Sequence, residues 1–462
     1  MIKGFAIFGG SFDPIGSNHV EIIRRAAQEF EKVIVVPCGP RPDKLTVNDI
    51  DPVHRATMID IALRGIENVE ADFFDLENDT FTYAVDLDKR YRSTYGQNVY
   101  HVVGADLLPQ IKSWHQGERF WHQAKFAVVT RNGYDLNPKN LPPNHVVVKA
   151  QIDGSSSVVR TEIYKRRPFE KLVAPGVMEY IRLHQLYLGK PPLYNIPFAV
   201  PDRRIMIYAD PDNPQAQHGA ELLKKYASDD PQIIVVLGGD GTVLRAVREH
   251  WRKRLPFFGI NFGHYGFLAN NLKDQLESKN LFDDLHMRPC PMLSVTATLP
   301  NGTKQQGLAF NDAWVQALPG DTARVEVLID GHSRIEVFAD GVLVATPAGS
   351  TGYARSMGAA PFEIGDTHLV VVGNNISYPV FWKDVKVPQD VEIELRNADD
   401  SAIPNRRRPI VGFADGKGGT VFDEVQCLHI RRSRVASASL LFTTDYDLVK
   451  KQRELWFPAN GN

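Results

Sequence analysis

Cysteine is scarce in this chain: Cys38, Cys290 and Cys427 are its only three, far apart and in no CxxC or Cys/His grouping. That spacing argues against a disulfide framework and against a structural zinc site, and it suits a reducing compartment. Long apolar runs are missing as well. None reaches the roughly 20 residues that span a bilayer, and the first, FAIF at 5–8, meets Gly9-Gly10 at once, unlike a secretory leader. A cytoplasmic chain with no membrane partner is expected. Nor does one sign of charge prevail, because 53 Lys and Arg face 55 Asp and Glu. With no basic field to hold a phosphate backbone, nucleic acid is not an expected partner. Internal repeats and low-complexity tracts are also lacking.

What is present is a globular composition, 43% hydrophobic and 23% charged, over 462 residues. That length exceeds one ordinary core, so two or three domains are expected. Residues 1–188 alternate β-branched runs (5–8, 33–36, 99–104, 126–129 and 145–149) with amphipathic segments, the pattern of a parallel α/β sheet. Between the first two runs Ile22, Ile23, Ala26, Ala27 and Phe30 recur at helical spacing, which predicts a crossover helix. Residues 189–202 carry Pro191, Pro192, Pro197 and Pro201 and read as a linker. A second α/β stretch follows over 203–290, with strands at RIMIYA and IIVVL and a helix in which Leu244, Val247 and Trp251 share a face. From 291 to 425 apolar and polar residues alternate, as in ARVEVLID and SRIEVFAD, which predicts a β-rich subdomain. Residues 426–462 read as a C-terminal segment ending in a helix.

Two glycine turns carry the chemistry. The first, GGSFDPIGSNH at 9–19, joins a strand to a helix, where glycines admit close backbone approach and the helix start favours an anion. A tight turn would account for the glycines equally well. The string, however, resembles the nucleotidylyltransferase signature GGTFDPxHxGH. Further likenesses follow in family order: Lys44 in GPRPDK, Arg55 in HRATMI, GADLL at 104–108, Trp114, SSSVVR at 155–160, and APGVMEYIRLHQLY at 174–187. Together they resemble a nicotinate or nicotinamide mononucleotide adenylyltransferase with a Rossmann-like fold. The resemblance implies that His19 and Arg160 stabilise phosphates as catalytic and binding groups, and that Ser156 and Ser157 donate hydrogen bonds near them. Gly9, Gly10, Ser11, Phe12, Lys44 and Arg131 would line the nucleotide, while Gly104, Asp106 and Trp114 would hold the pyridine ring. ATP would be the co-substrate, with Mg²⁺ held through phosphates rather than by protein ligands. The chain departs from the signature at the first histidine, which is Gly16, and at the following glycine, which is Asn18. Some eukaryotic relatives with a GSFNPITNMH-like string also lack that histidine. An active domain and a degenerate nucleotide sensor are both open readings.

The second turn, LGGDGT at 237–242, again joins a strand to a helix. Asp240 is a carboxylate where phosphates would approach, which points to proton transfer rather than packing. After it come GINFGHYGFL at 259–268, NDAW at 311–314 and DGVLVATPAGSTGY at 340–353. These strings resemble the NAD kinase motifs in their order, with Asp312 where the family usually has Glu, TPAGST for TPTGST, and Tyr265 for Leu. The resemblance implies an α/β subdomain followed by a β-rich one. It makes Asp240 the base for the adenosine 2′-OH in a pocket built with Gly239, Gly241 and Thr242. Asn311 and Asp312 would bind ribose hydroxyls; Asp340, Thr351, Tyr353 and Ser356 would line the dinucleotide; His264 and Phe267 would contact the adenosine side. A homodimer or homotetramer is implied too. A diacylglycerol or sphingosine kinase shares the GGDGT turn and is the alternative. No Walker P-loop is present, NRRRP at 405–409 reads as a solvated loop, Asp415-Gly416 as a late turn, and His54 and His101 as ordinary packed or surface histidines.

The expectation is therefore a bifunctional enzyme that takes ATP and a mononucleotide to NAD, and NAD to NADP.

Overall fold

The computed structural model describes residues 2–40, 50–130, 136–150, 154–399, 408–416 and 418–456. They form two units, Met1–Pro192 and Leu193–Asn462.

In the first unit the β-branched runs become six parallel strands in the order Val69–Ala71, Phe30–Pro37, Ile2–Gly10, Val99–Gly104, Lys125–Val129, His145–Val148. The chain winds outward from Ile2–Gly10 in one direction and then in the other. The carboxyl end of that strand consequently opens on the crevice where doubly wound sheets take ligands. The helix Ser17–Glu29 buries Val20, Ile22, Ile23 and Ala26, an apolar stripe turned to the sheet. Phe30, expected on that helix, instead begins the next strand, because its backbone turns extended (φ −110°, ψ 157°). Arg55 is buried on the helix Pro52–Leu63 and donates from Nε to the Ser11 carbonyl at 3.0 Å and from Nη2 to the Cys38 carbonyl at 2.8 Å.

The second unit restarts with parallel strands Ile205–Ala209, Ile233–Gly238 and Phe257–Asn261, flanked by helices Pro214–Leu223 and Asp240–His250. Two long strands, Leu285–Thr298 and Cys427–Thr443, then run antiparallel to each other. Cys427–Thr443 touches the parallel strands at one end and the antiparallel strand Ile393–Asn397 at the other, so a single sheet serves both subdomains. A second, six-stranded antiparallel sheet runs Val385–Pro388, His368–Asn374, Gly341–Ala345, Asp312–Ala317, Ile410–Ala414, Thr420–Val425. Its inner face and that of the larger sheet share one core that includes Val295, Val325, Val342, Val371 and Ile430.

Two expected boundaries are corrected. The linker over 189–202 is shorter than its prolines suggest: Ile196–Phe198 pairs with Leu285–Met287 of the second unit, with Pro197 in a short edge strand where prolines are tolerated. Residues 426–462 are no mere terminal segment, since they begin with a 17-residue strand. Its RRSR stretch broke the alternation that would have marked it. Among the described residues no helix is long and apolar enough to cross a membrane.

Asn270 ties these layers together. Buried at 1% exposure, its amide donates to the carbonyls of Gly259 and Leu441, each at 3.0 Å, and its oxygen accepts the Thr443 N–H at 3.0 Å. Asn270→Ala leaves the Gly259, Leu441 and Thr443 backbone groups without this partner and should cost about 2–4 kcal/mol. The urea midpoint followed by circular dichroism should fall accordingly; an unchanged midpoint would show that the tie is not structural.

Candidate functional sites

The first candidate site lies at the carboxyl end of Ile2–Gly10. Gly9 and Gly10 close the strand, Ser11 follows, and Phe12 is buried with φ +46°. The turn then enters the helix Ser17–Glu29 through Gly16, whose N–H donates to Nδ1 of His19 at 3.0 Å. Because Nδ1 accepts, a neutral His19 carries its proton on Nε2.

The two departures from the signature prove to be one structural event. A Cβ at Gly16 would stand 2.6 Å from Oδ1 of Asn18 and 3.3 Å from the Leu172 carbonyl. Asn18 therefore occupies the space that a side chain at position 16 would use, and its amide reaches the Gly154 carbonyl at 3.2 Å.

The helix Ser156–Tyr164 brings its first turn to the same loop. Ser156 Oγ donates to the Pro14 carbonyl at 2.9 Å, and Arg160 Nη1 donates to the Asp13 carbonyl at 2.5 Å and lies 3.8 Å from its carboxylate. Ser157 Oγ is 3.5 Å from Arg160 Nη2. Asp13, which sequence reasoning passed over, is 1% exposed and accepts the Tyr187 hydroxyl at 2.7 Å. Burial, followed by the Asp13 charge, pushes the Tyr187 phenol well up, so it remains a donor.

Gly104 ends the neighbouring strand, and Asp106 folds back over it, its Oδ1 2.4 Å from where a Cβ of Gly104 would stand. Trp114 is half-buried and stacks on Phe120, ring centroids 6.4 Å apart. Lys44 and Arg131 lie outside the described residues. His54 Nδ1 meets the Tyr180 hydroxyl at 2.8 Å and His101 Nε2 meets Asp88 at 3.0 Å, so both are engaged away from the loop.

The second candidate site begins where Ile233–Gly238 meets Asp240–His250, with Gly239 as N-cap. A Cβ at Gly239 or at Gly241 would meet nothing within 4 Å, so packing does not demand these glycines, and a ligand can approach the backbone there. Asp240, the first helical residue, accepts the N–H of Phe267 at 2.9 Å and of Leu268 at 2.8 Å, one on each carboxylate oxygen. Burial pushes its carboxyl up, while those two N–H groups and the charges of Lys451 and Arg355 pull it back. Thr242 is buried and donates its hydroxyl to Asp210 at 2.7 Å, so it fastens the turn rather than facing a ligand.

His264 is exposed and Phe267 buried beneath the Arg355 guanidinium, 5.4 Å from the ring centroid. Both line a cleft of about 120 Å³ with Asn261, Tyr265, Asn271 and Lys451. The cleft is smaller than pockets for drug-sized ligands, which run from about 300 to 1,000 Å³.

Asn311 and Asp312 open the strand Asp312–Ala317. Gly349 packs so closely on them that a Cβ would sit 2.1 Å from the Asn311 carbonyl. Asn311 Oδ1 is buried and has no hydrogen-bond partner among the described residues. Asp415 sits behind, fully buried, and accepts the N–H groups of Phe310 and Asn311 at 3.1 and 2.8 Å, with Arg248 3.9 Å away. Its late turn is thus also the support of the Asn311-Asp312 pair. Burial, and then the Asp415 charge, push the Asp312 carboxyl up to about 7.

Tyr353 meets Trp314 edge-on at 5.6 Å, whereas the hydroxyls of Thr351 and Ser356 bond back to Ala348 and Tyr353 carbonyls. Asp340 is not brought to this cluster. The antiparallel register pairs Asp312 with Ala345, while the Asp340 carbonyl accepts the Ala317 N–H. Asp340 thus lies at the far end of the strand, roughly 16 Å away at 3.3 Å per residue, with its carboxylate on Asn375 at 2.6 Å. Neighbourhood in the string DGVLVATPAGSTGY implied one pocket, but an extended strand carries its two ends apart.

Comparison with known proteins gives two matches of family profile: cytidylyltransferase-like over residues 7–162, and ATP-NAD kinase N-terminal domain over 197–285. The chain is 31% identical over 256 residues to the NAD kinase of Xanthomonas campestris pv. campestris strain 8004, covering 54% of this chain and 95% of that protein. It is 31% identical over 249 residues to the NAD kinase of Caulobacter vibrioides, covering 52% and 91%. Among solved structures, an NAD kinase from Archaeoglobus fulgidus in complex with ATP aligns at 23% identity and a TM-score of 0.39, over 55% of this chain and 96% of that one. A nicotinic acid mononucleotide adenylyltransferase from Plasmodium falciparum, complexed with NaAD, aligns at 25% identity and a TM-score of 0.36, over 41% and 99%.

The raised Asp312 carboxyl has a measurable consequence. Its ordinary unfolded value is about 3.9, so between there and about 7 the folded chain holds a proton that the unfolded chain releases. This group's contribution to stability therefore falls as pH rises through that window, by up to about 4 kcal/mol. Asp312→Asn should remove the loss, so that its urea stability relative to the parent improves from pH 4.5 to pH 8. Parallel pH dependences for the two proteins would contradict this.

Proposed function

The chain belongs to the NAD kinase family through its second unit, which follows a cytidylyltransferase-like domain, and on that premise we propose a bifunctional enzyme that makes NAD and then phosphorylates it. In the first unit a mononucleotide phosphate oxygen attacks the α-phosphorus of ATP, and the bond to the bridging oxygen of pyrophosphate breaks. No protein nucleophile is needed; positioning and charge neutralisation carry the step. The convergence of Ser156 and Arg160 on the 9–19 loop supports it, since this brings the start of a second helix to the turn that opens Ser17–Glu29. Asp106 and Trp114 take the pyridine ring.

In the second unit Asp240 accepts the proton of the adenosine 2′-OH while its oxygen attacks the γ-phosphorus of ATP and ADP departs. Each Asp240 oxygen accepts one N–H and keeps a further lone pair for that proton. The observation that carries this reading is the buried, unpartnered Oδ1 of Asn311 beside Asp312, an acceptor awaiting a hydroxyl. Among the described residues no group of three His, Cys, Asp or Glu could hold a metal ion. Mg²⁺ would be held through nucleotide phosphates and water, where it would neutralise their charge.

A homo-oligomer accounts for Asp340. The loop beside it exposes Tyr378, Val380 and Phe381, at 57%, 86% and 85%, an apolar cluster that a second copy would cover. Asp340 of one subunit then serves the dinucleotide site of another. Co-expressed Asp240→Asn and Asp340→Ala chains should recover about a quarter of the parent NADP formation if mixed dimers assemble statistically. Recovery no greater than the sum of the two separate variants would exclude the sharing.

The function itself is tested by incubating the full chain with nicotinamide or nicotinate mononucleotide, ATP and Mg²⁺, and following pyrophosphate, NAD and NADP by mass. Asp240→Asn should yield NAD without NADP, and Arg160→Ala should lose NAD formation while still converting supplied NAD to NADP. NADP made by Asp240→Asn, or phosphate passed to diacylglycerol instead of NAD, would refute the kinase reading. ATP binding without pyrophosphate release from either mononucleotide would make the first unit a nucleotide sensor, the alternative that Gly16 motivates.

A further inference from the structure

The segment that grips Asp240 is held from behind by the last helix of the second unit. Phe267 and Leu268 turn their N–H groups to the carboxylate. The carbonyl of Gly266 belongs to the same peptide group as the Phe267 N–H, and it accepts Lys451 Nζ. The carbonyl of Phe267 belongs to the same peptide group as the Leu268 N–H, and it accepts the Tyr446 hydroxyl at 2.5 Å. Lys451 also donates to the Ala269 carbonyl at 2.5 Å and lies 4.8 Å from the Tyr446 ring centroid. Both peptide groups that donate to Asp240 are therefore capped at their oxygen ends by residues of the C-terminal stretch, Tyr446 just before the helix Leu448–Trp456 and Lys451 within it.

A donor on a carbonyl oxygen polarises the N–H at the other end of the same peptide, so the two hydrogen bonds strengthen each other. We propose that Lys451, assisted by Tyr446, is a positioning residue for Asp240, fixing the carboxylate through the two peptide groups that lie between them. The inference rests on the reading of Asp240 as the base. Lys451 is part of no motif in the glycine turns and lies 185 residues beyond Gly266.

The charge of Lys451 acts in the same direction as the geometry. Burial favours the protonated, inactive form of Asp240, and Lys451 and Arg355 oppose it. The groups around this contact are Arg355 from the Tyr353–Ser356 turn, Tyr446 and Lys451 from the C-terminal stretch, and Arg288, Glu363 and Cys290 around Tyr446. His264 and Tyr265 line the adjoining cleft. Removing the ammonium leaves the Phe267 and Leu268 N–H groups and Arg355 against burial, so Asp240 holds its proton to higher pH. A lysine that only docked the helix would change stability and leave the pH profile where it was.

The test measures NADP formation from NAD, ATP and Mg²⁺ by the full chain from about pH 5 to 9, the range that brackets a general base. Lys451→Met should lower kcat about tenfold with KM for NAD within about twofold, and should move the acid limb of kcat up by about one pH unit. Lys451→Arg, which keeps the charge and the carbonyl donors, should return the limb to its parent position. If Lys451→Met does not fold, Lys451→Gln is read in its place; a raised limb supports the inference and an unchanged one overturns it. Asp240→Asn keeps the two hypotheses apart. If it retains activity, the base assignment fails whatever Lys451 does; if it is inactive while Lys451→Met matches the parent in kcat and limb, only the positioning role is lost. An arginine variant whose limb moves as far as that of methionine would overturn it as well.

Discussion

On the proposed reading, holding a carboxylate ionised inside a turn that also admits phosphates is the constraint on which the second unit depends. Asp240 is half-buried, and desolvation alone would raise its carboxyl. A cation placed directly on it would stabilise the charge but would occupy the lone pairs that a base needs. The structure uses backbone dipoles instead: two consecutive N–H groups, from Phe267 and Leu268, each take one oxygen and leave the rest of the carboxylate accessible. This places demands on everything behind the turn. Residues 266–268 must present amides in one direction and carbonyls in the other, and the carbonyls need partners of their own. Tyr446 and Lys451 provide them, and Asn270 ties the same stretch to Gly259 and to the strand Cys427–Thr443. The chain's return to the parallel sheet at its far end thus follows from what the glycine turn requires.

The first unit meets a related problem in reverse. On the proposed reading its loop leaves amides facing an anion, and the carbonyls of the loop, with that of Cys38 beside it, are occupied from behind. Arg55 takes those of Ser11 and Cys38, Arg160 that of Asp13, and Ser156 that of Pro14. Asp13 supplies the buried negative charge near Arg160, and Tyr187, from the end of the domain, donates to it. Only part of the guanidinium's donors are used in this way, which on the proposed reading lets Arg160 act as brace and phosphate ligand together.

How far the sequence foretold these arrangements depends on the range of the contact. Both glycine turns, the parallel character of the first sheet and the alternation of the β-rich half were legible, because each is written in neighbouring residues through helical or strand periodicity and glycine chemistry. The strand Cys427–Thr443 was not, since it passes from one core to another and its arginines interrupt the pattern midway. Asp340 was misplaced for the opposite reason: a contiguous motif suggested a contiguous site, although an extended strand separates its ends. The supports Asp13, Asp415 and Lys451 sit in strings that name no chemistry of their own. Only the pairing of distant segments gives them a role, and no local pattern encodes that pairing. The compensation of Gly16 by Asn18 belongs to the same class, legible as two departures but not as one volume shared between them.

The Asp312–Asp415 pair extends this argument to recognition. Asp415 is committed to the N–H groups of Phe310 and Asn311 and has Arg248 at 3.9 Å, so its charge is the better compensated of the two. Asp312 has no such partners among the causes that shift it, only burial and its acidic neighbour, and its carboxyl is raised to about 7 in consequence. A carboxyl poised there offers a hydroxyl proton as readily as a lone pair, whereas Asn311 beside it presents a fixed acceptor. On the proposed reading a vicinal diol, whose two hydroxyls can each donate and accept, would meet one fixed acceptor and one group able to do either. Asp312 thus stands, where the family usually has Glu, beside the Asp415 charge that helps to raise its carboxyl.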